Sequence, residues 1–161
     1  RQTVEAVRQL CPAKIEVLLP DFQGRDDLMD IVLLSRPDVV AHNIETVRRL
    51  TPVVRSVATY EGSLHVLRHI HEQGFVAKSG LMLGLGETEA EVLQTLRDLR
   101  DSGVDRVTIG QYLQPTAHHL PVAAYIAPDK FRWYRDQALQ MGFSSAVSGP
   151  LVRSSYKAGM D

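Results

Sequence analysis

Cysteine is almost absent: Cys11 is the single one among 161 residues. One thiol excludes an internal disulfide, and it excludes any zinc or iron–sulfur centre held by this chain's thiolates alone. Its scarcity points to a reducing compartment. Cys11 itself stands beside Pro12 at a helix end and reads as a small buried apolar residue. Neither sign of charge is in excess, since 18 Lys and Arg face 19 Asp and Glu for a formal net charge of −1. No basic field therefore recommends a nucleic acid or a membrane as partner. No uninterrupted apolar run is long enough to span a bilayer, and no charged leader precedes an apolar stretch. The expected location is the cytoplasm, or the mitochondrion or plastid of a eukaryote. Repeats, low-complexity segments and linkers are also lacking. The chain opens on Arg1 rather than a methionine, which reads as mid-protein. What is present is an apolar content of 44%, ordinary for one folded core.

Apolar runs and amphipathic helices alternate along the chain. Thr3 caps a short helix carrying Val4, Val7 and Leu10. Residues 14–19 (KIEVLL), 38–41, 75–83, 104–109 and 143–147 are expected strands. Helices are expected over 26–35 and around 46–50. Another is capped by Ser63 and stopped by Gly74, and another is opened by the capping box Thr88 and Glu91. A last helix runs from Pro128 to Gly142. This βα spacing implies a parallel sheet with right-handed crossovers. A doubly wound sheet and part of a (β/α) barrel both fit. Five strands cannot close an eight-stranded barrel, so the chain reads better as the later part of one.

In either architecture ligands bind at the carboxyl ends of the strands. The unusual polar segments fall there: Asp21-Phe22-Gln23-Gly24, His42-Asn43-Ile44-Glu45, Gly84-Leu85-Gly86-Glu87, Gly110-Gln111-Tyr112-Leu113-Gln114 and Ser148-Gly149-Pro150 with Arg153-Ser154-Ser155-Tyr156. Five insertions on one rim describe a cleft. Each also has a plainer explanation. Asp21 and Asn43 suit turns, and Gly84 and Gly86 suit tight backbone geometry. His65 and His69 are four apart, as zinc ligands can be, but a solvated helix face accounts better for them. Met29, Met82 and Met141 read as core filler. Pattern alone ends at an α/β protein with a polar cleft.

The segments VLLPDFQG (17–24), HNIETV (42–47), ATYEGSL (58–64), KSGLMLGLGET (78–88), TIGQYLQP (108–115) and SGPLVRSSY (148–156) resemble lipoyl synthases in sequence and order. The resemblance covers nearly the whole chain. It implies the C-terminal half of a radical S-adenosylmethionine (SAM) partial TIM barrel over residues 1–147, N-terminal strands missing, and a tail over 148–161 carrying the RSSY motif. Lipoyl synthases insert two sulfur atoms into an octanoyl chain held on a lipoyl carrier protein or lipoyl domain. One [4Fe–4S] cluster, on a CxxxCxxC motif, cleaves SAM reductively to a radical that takes hydrogen from unactivated carbon. A second is held by three cysteines and a serine and is consumed as the sulfur source. An electron donor such as ferredoxin or flavodoxin is implied. Neither cysteine motif occurs in this sequence.

Carried onto this chain, the resemblance makes Ser154 the serine ligand of the second cluster. Lys157 stands where the family frequently has histidine. Gly84, Gly86 and Glu87, with Gln111 and Tyr112, correspond to the adenine pocket of SAM. Asn43 and Glu45 would hold its ribose, and Lys78 or Ser79 its carboxylate, only one of the two pointing inward. Arg55, Tyr60 and Arg153 are assigned to substrate. The expected reading is a fragment of lipoyl synthase, inactive by itself, with no intact catalytic residue. A non-catalytic module that keeps substrate or carrier binding is the alternative. An aldolase-like barrel with Lys78 as a Schiff base is a third reading, needing a desolvated lysine.

Overall fold

The computed structural model describes residues 1–156; Lys157 and the rest of the tail lie outside the described residues. Twelve helical and strand segments follow one another among the described residues. Helix α1 is Gln2–Leu10, and strand β1 is Glu16–Leu18, followed by a 3-10 turn over Phe22–Gly24. Helix α2 is Asp26–Leu33, β2 is Val39–Ala41 and α3 is Thr51–Val54. Helix α4 is Tyr60–Glu72, β3 is Val76–Leu83 and α5 is Glu89–Asp101. Strand β4 is Arg106–Gln111, α6 is Pro128–Gln140 and β5 is Ser145–Gly149.

The five strands are all parallel and stand in the order β1-β2-β3-β4-β5. That order separates the two architectures. A doubly wound sheet reverses its order at a switch point, which puts helices on both faces. Here the order never reverses, as in a barrel wall, and right-handed crossovers then place every helix on one face. The core shows which face. Ala77 packs in one cluster with Met29, Leu33, Val66 and Ile70. Leu81, Leu83, Val107 and Ile109 pack in another with Leu67, Leu96, Leu99 and Phe131. Because side chains alternate along a strand, Lys78, Gly80 and Met82 of β3 and Arg106, Thr108 and Gly110 of β4 belong to the other, inner face.

Several local expectations change. Thr3 lies inside α1, whose N-cap is Arg1 without a side-chain cap bond. Of its apolar stripe only Val4 is buried; Leu10 is 85% exposed. Cys11 is likewise exposed, its thiol near the Val7 carbonyl, because α1 offers no covered surface at that end. The helix expected near 46–50 is a turn, and α3 starts at Thr51 with Pro52 in its first turn. Thr59, not Ser63, caps α4, accepting from the Gly62 amide at 3.0 Å. The Thr88–Glu91 capping box is present in full. Strand β5 runs to Gly149, past the expected boundary at 147. His65 and His69 each reach an aspartate of α2, Asp26 and Asp30, at 2.8 Å. Met29 is fully buried, but Met82 faces the inner side and is only half-buried.

Candidate functional site

A cleft opens on the inner face at the carboxyl ends of β2, β3 and β4. Asn43, Glu45, Gly80, Met82, Thr108, Gly110, Arg153 and Ser154 line it. Its floor is made by small residues. A Cβ at Gly80 would stand 2.7 Å from Asn43 Oδ1 and 3.2 Å from Thr108 Oγ1, so the missing side chain is what lets Asn43 lie over β3. Asn43 Oδ1 is buried and has no hydrogen-bond partner. A buried unpaired carbonyl costs about 1–3 kcal/mol, which a ligand donor would recover.

Glu45 is held beside Asn43 by backbone geometry. Its φ is 67°, in the left-handed region. Its amide donates to Gly80 O at 3.0 Å and its carbonyl accepts from Met82 N at 2.8 Å, which bridges it to β3. Burial pushes the Glu45 carboxyl above its ordinary pKa, against the opposing pull of the Asn43 amide and the Arg55 charge. The site therefore holds a carboxyl group whose charged form is disfavoured by burial.

Behind these two runs a relay missed at the level of sequence. His42 is buried, with Nδ1 2.9 Å from Leu19 O. A carbonyl only accepts, so Nδ1 carries the proton and Nε2 is the acceptor. Nε2 lies 3.0 Å from Ser63 Oγ, which donates to it, and Arg55 donates to the same hydroxyl at 2.5 Å. Burial holds the His42 imidazole below its ordinary pKa. The chain of bonds holds the neutral tautomer and ties the Arg55 guanidinium to Ser63 of α4, so Arg55, expected at the substrate, lies outside the cleft lining beside Thr59 and Tyr60. Position 42 directly precedes the rim residues Asn43 and Glu45, which was the available signal.

The glycine turn after β3 is occupied by the chain itself. Gly84 and Gly86 have φ near 100°. Glu87 accepts from the Gly84 and Leu85 amides at 2.6 and 2.9 Å. Gln111 donates to Tyr112 O and Ala124 O, each at 3.0 Å, and accepts from Ile126 N at 2.9 Å. Tyr112 donates to Leu120 O at 2.8 Å. A Cβ at Gly84 would overlap Gln111 and Ala124, whereas at Gly86 it would meet only Ala123 at 3.8 Å. Gly84, Gln111 and Tyr112 thus pin the loop between β4 and α6, Glu87 closes its own glycine turn, and Gly86 keeps an open face.

The remaining expected residues divide. Lys78 is the inward member of its pair, but its ammonium sits between the two Glu16 oxygens at 2.9 and 2.8 Å. That ion pair leaves no free amine for a Schiff base. Ser79 faces the helices and accepts from the Ile44 amide at 3.1 Å. Tyr60 is away from the cleft, buried between α4 and α5, where its hydroxyl donates to Asp98 at 2.9 Å. Arg153 lines the cleft and donates to Val152 O at 2.7 Å. Ser154 is in the cleft and half-buried; Ser155 is exposed.

No protein-family model matches the chain. In solved structures it is similar to methylornithine synthase, with TM-score 0.69 and 14% identity over 99% of this chain and 56% of that one. It is also similar to a radical SAM methyltransferase from Kitasatospora setae, solved with cobalamin and a [4Fe–4S] cluster bound. There the TM-score is 0.52 and the identity 15%, over 70% of this chain and 24% of that one. These likenesses show the fold, a parallel (β/α) partial barrel. In sequence the chain is 52% identical over 157 residues to the lipoyl synthase of Parabacteroides distasonis, covering 97% of this chain and 56% of that protein. It is 56% identical over 159 residues to that of Flavobacterium johnsoniae, covering 98% and 55%. It is 52% identical over 162 residues to that of Chlorobium phaeovibrioides, covering 99% and 57%. Spanning little more than half the length of these relatives and matching them along nearly all of its own, the chain belongs to the lipoyl synthase family.

Proposed function

We propose that this chain forms part of a lipoyl synthase, whose whole protein inserts two sulfur atoms into an octanoyl chain carried on a lipoyl carrier protein or lipoyl domain. The observation that carries the reading is the meeting of Ser154 with Asn43 and Glu45 in one cleft at the strand ends. The donor set fits the implied groups in part. The unpaired Asn43 carbonyl and the Glu45 carboxyl suit the ribose hydroxyls of SAM. Ser154 offers an oxygen to iron, a harder ligand than thiolate. The cluster thiolates do not come from this chain, whose one cysteine is exposed at the end of α1. Cysteines from outside these 161 residues would hold both clusters. When bound, these groups supply the electron, the radical chemistry and the sulfur.

This chain's own residues bind, orient and exclude water. Ser63 holds Arg55, whose charge acts on Glu45 from outside the cleft, and Arg153 brings positive charge to the cleft itself. Gln111 and Tyr112 shape an adenine pocket by fixing the loop that covers the glycine turn. An electron donor such as ferredoxin or flavodoxin and the octanoylated carrier are the proposed partners.

The two neighbouring serines give the test. In the full-length protein, Ser154→Ala is expected to cut product formation by about tenfold or more, on the scale of losing a metal-supporting ligand. Ser155→Ala, on an exposed side chain, should leave it within about twofold. Equal effects, or a worse Ser155 variant, would remove Ser154 from the site.

A further inference from the structure

Gly110 lies within β4, in register with Met82 of β3 and Gly149 of β5. Its φ is outside the left-handed region, so the backbone there is one any residue adopts. A glycine in such a position weakens a strand unless its missing side chain makes room for something. A Cβ at Gly110 would overlap the carbonyl oxygen of Val152, stand 3.2 Å from the Val152 carbonyl carbon, and lie 3.4 Å from Arg153 Nη1. The chain leaves β5, turns with Val152 N donating to Gly149 O at 3.1 Å, and comes back over β4. Val152 is 6% exposed, so this return is packed rather than loose. The next two residues, Arg153 and Ser154, line the cleft.

We propose that Gly110 is a positioning residue: its lack of a side chain seats the returning segment 152–154 against β4 and thereby delivers Ser154 beside Asn43 and Glu45. The seat rests on geometry alone, while its importance to catalysis rests on the function proposed for Ser154. Gly80 plays the equivalent part for Asn43, which makes it a matched control.

Hydrogen exchange of the full-length protein, read by mass spectrometry, tests the seat directly. In Gly110→Ala, amides of residues 151–156 should exchange at least about tenfold faster while β3 and β4 keep their protection, as expected for local release. In Gly80→Ala the same amides should exchange as in the unaltered protein. A second comparison removes the segment by ending the chain after Pro150. Alanine has no loss to cause there, so Gly110→Ala should be at least as stable as the truncated parent to heat. If the full-length variant fails to fold, this truncated pair decides. Unchanged exchange over 151–156 in a folded Gly110→Ala overturns the proposal. So does a loss of stability as large in the truncated chain as in the intact one. Ser154→Ala leaves the seat untouched, so failure of the serine assignment and failure of the seat are separate results.

Discussion

His42 has a definite pH signature because its burial disfavours the charged imidazolium. Its imidazole is buried, bonded as a donor to Leu19 and as an acceptor from Ser63. Its folded-state pKa lies below the ordinary 6.5. The unfolded chain therefore takes up a proton that the folded chain refuses as acid is added. The stability contributed by neutral His42 is fully present above about pH 6.5 and is lost as pH falls toward the folded-state value. One such group gives a slope of at most about 1.4 kcal/mol per pH unit. His42→Gln, which has no titrating ring, should flatten the denaturant-midpoint profile between pH 7 and pH 5 relative to the unaltered protein; parallel profiles would refute the buried neutral state. Glu45 works in the opposite sense, being raised, but it is common to both proteins and cancels. At this scale the sequence disclosed residue types better than directions. It showed that Lys78 and Ser79 could not both face inward, yet which one does depends on strand register. It could not show that Glu16, 62 residues earlier, would take the Lys78 ammonium.

Element starts follow a similar rule: local chemistry was readable where it was self-contained. The Thr88–Glu91 box satisfies its own helix end within four residues, and it is found where the pattern placed it. Helix α4 starts ahead of Ser63 even though Gly62 is a poor helix former, costing about 1 kcal/mol against alanine. Tertiary contacts override it. Tyr60 is buried with its hydroxyl on Asp98, and Ser63 is drawn to His42, so the helix begins a turn earlier at Thr59. Glu91 does more than cap. It accepts from Thr88 N at 2.8 Å and pairs with Arg49 at 2.7 and 3.0 Å, while Arg49 also donates to Gly86 O at 2.9 Å. The Arg49 guanidinium and the Thr88 amide hold the Glu91 carboxyl down to about 2. Glu91→Ala is expected to cost about 1–2 kcal/mol in chemical denaturation, from one cap and one partly exposed ion pair. It should also speed amide exchange at residues 84–87, because Gly86 loses its tether. Destabilisation without that local change would separate the cap from the turn.

At the scale of the described residues the chain is a sheet with helices on one side and the cleft on the other, and its alternating pattern was plain from the sequence. The returning tail was not, because a close approach between Gly110 and Val152, 42 residues apart, leaves no periodic trace. The chemistry proposed for the whole protein depends on thiolates. One cysteine cannot anchor a [4Fe–4S] cluster that needs three, so the 161-residue chain by itself should bind well under one cluster after anaerobic reconstitution with iron and sulfide. Under strong reductant it should release no 5′-deoxyadenosine from SAM. Stoichiometric cluster with nucleoside release from this chain alone would overturn the proposed division of labour. The strand order has a consequence of another kind. A wall laid in one direction has the same ladder at every joint, and β1 and β5 each present that ladder on a free side among the described residues. Lineages built this way can lengthen or shorten by whole βα units at a flank without rewriting the interior. Such edits alter how far the wall curls and how wide its mouth opens. The cleft floor lies on the interior strands β3 and β4, so such edits would move the margins of the cleft and leave its floor in place.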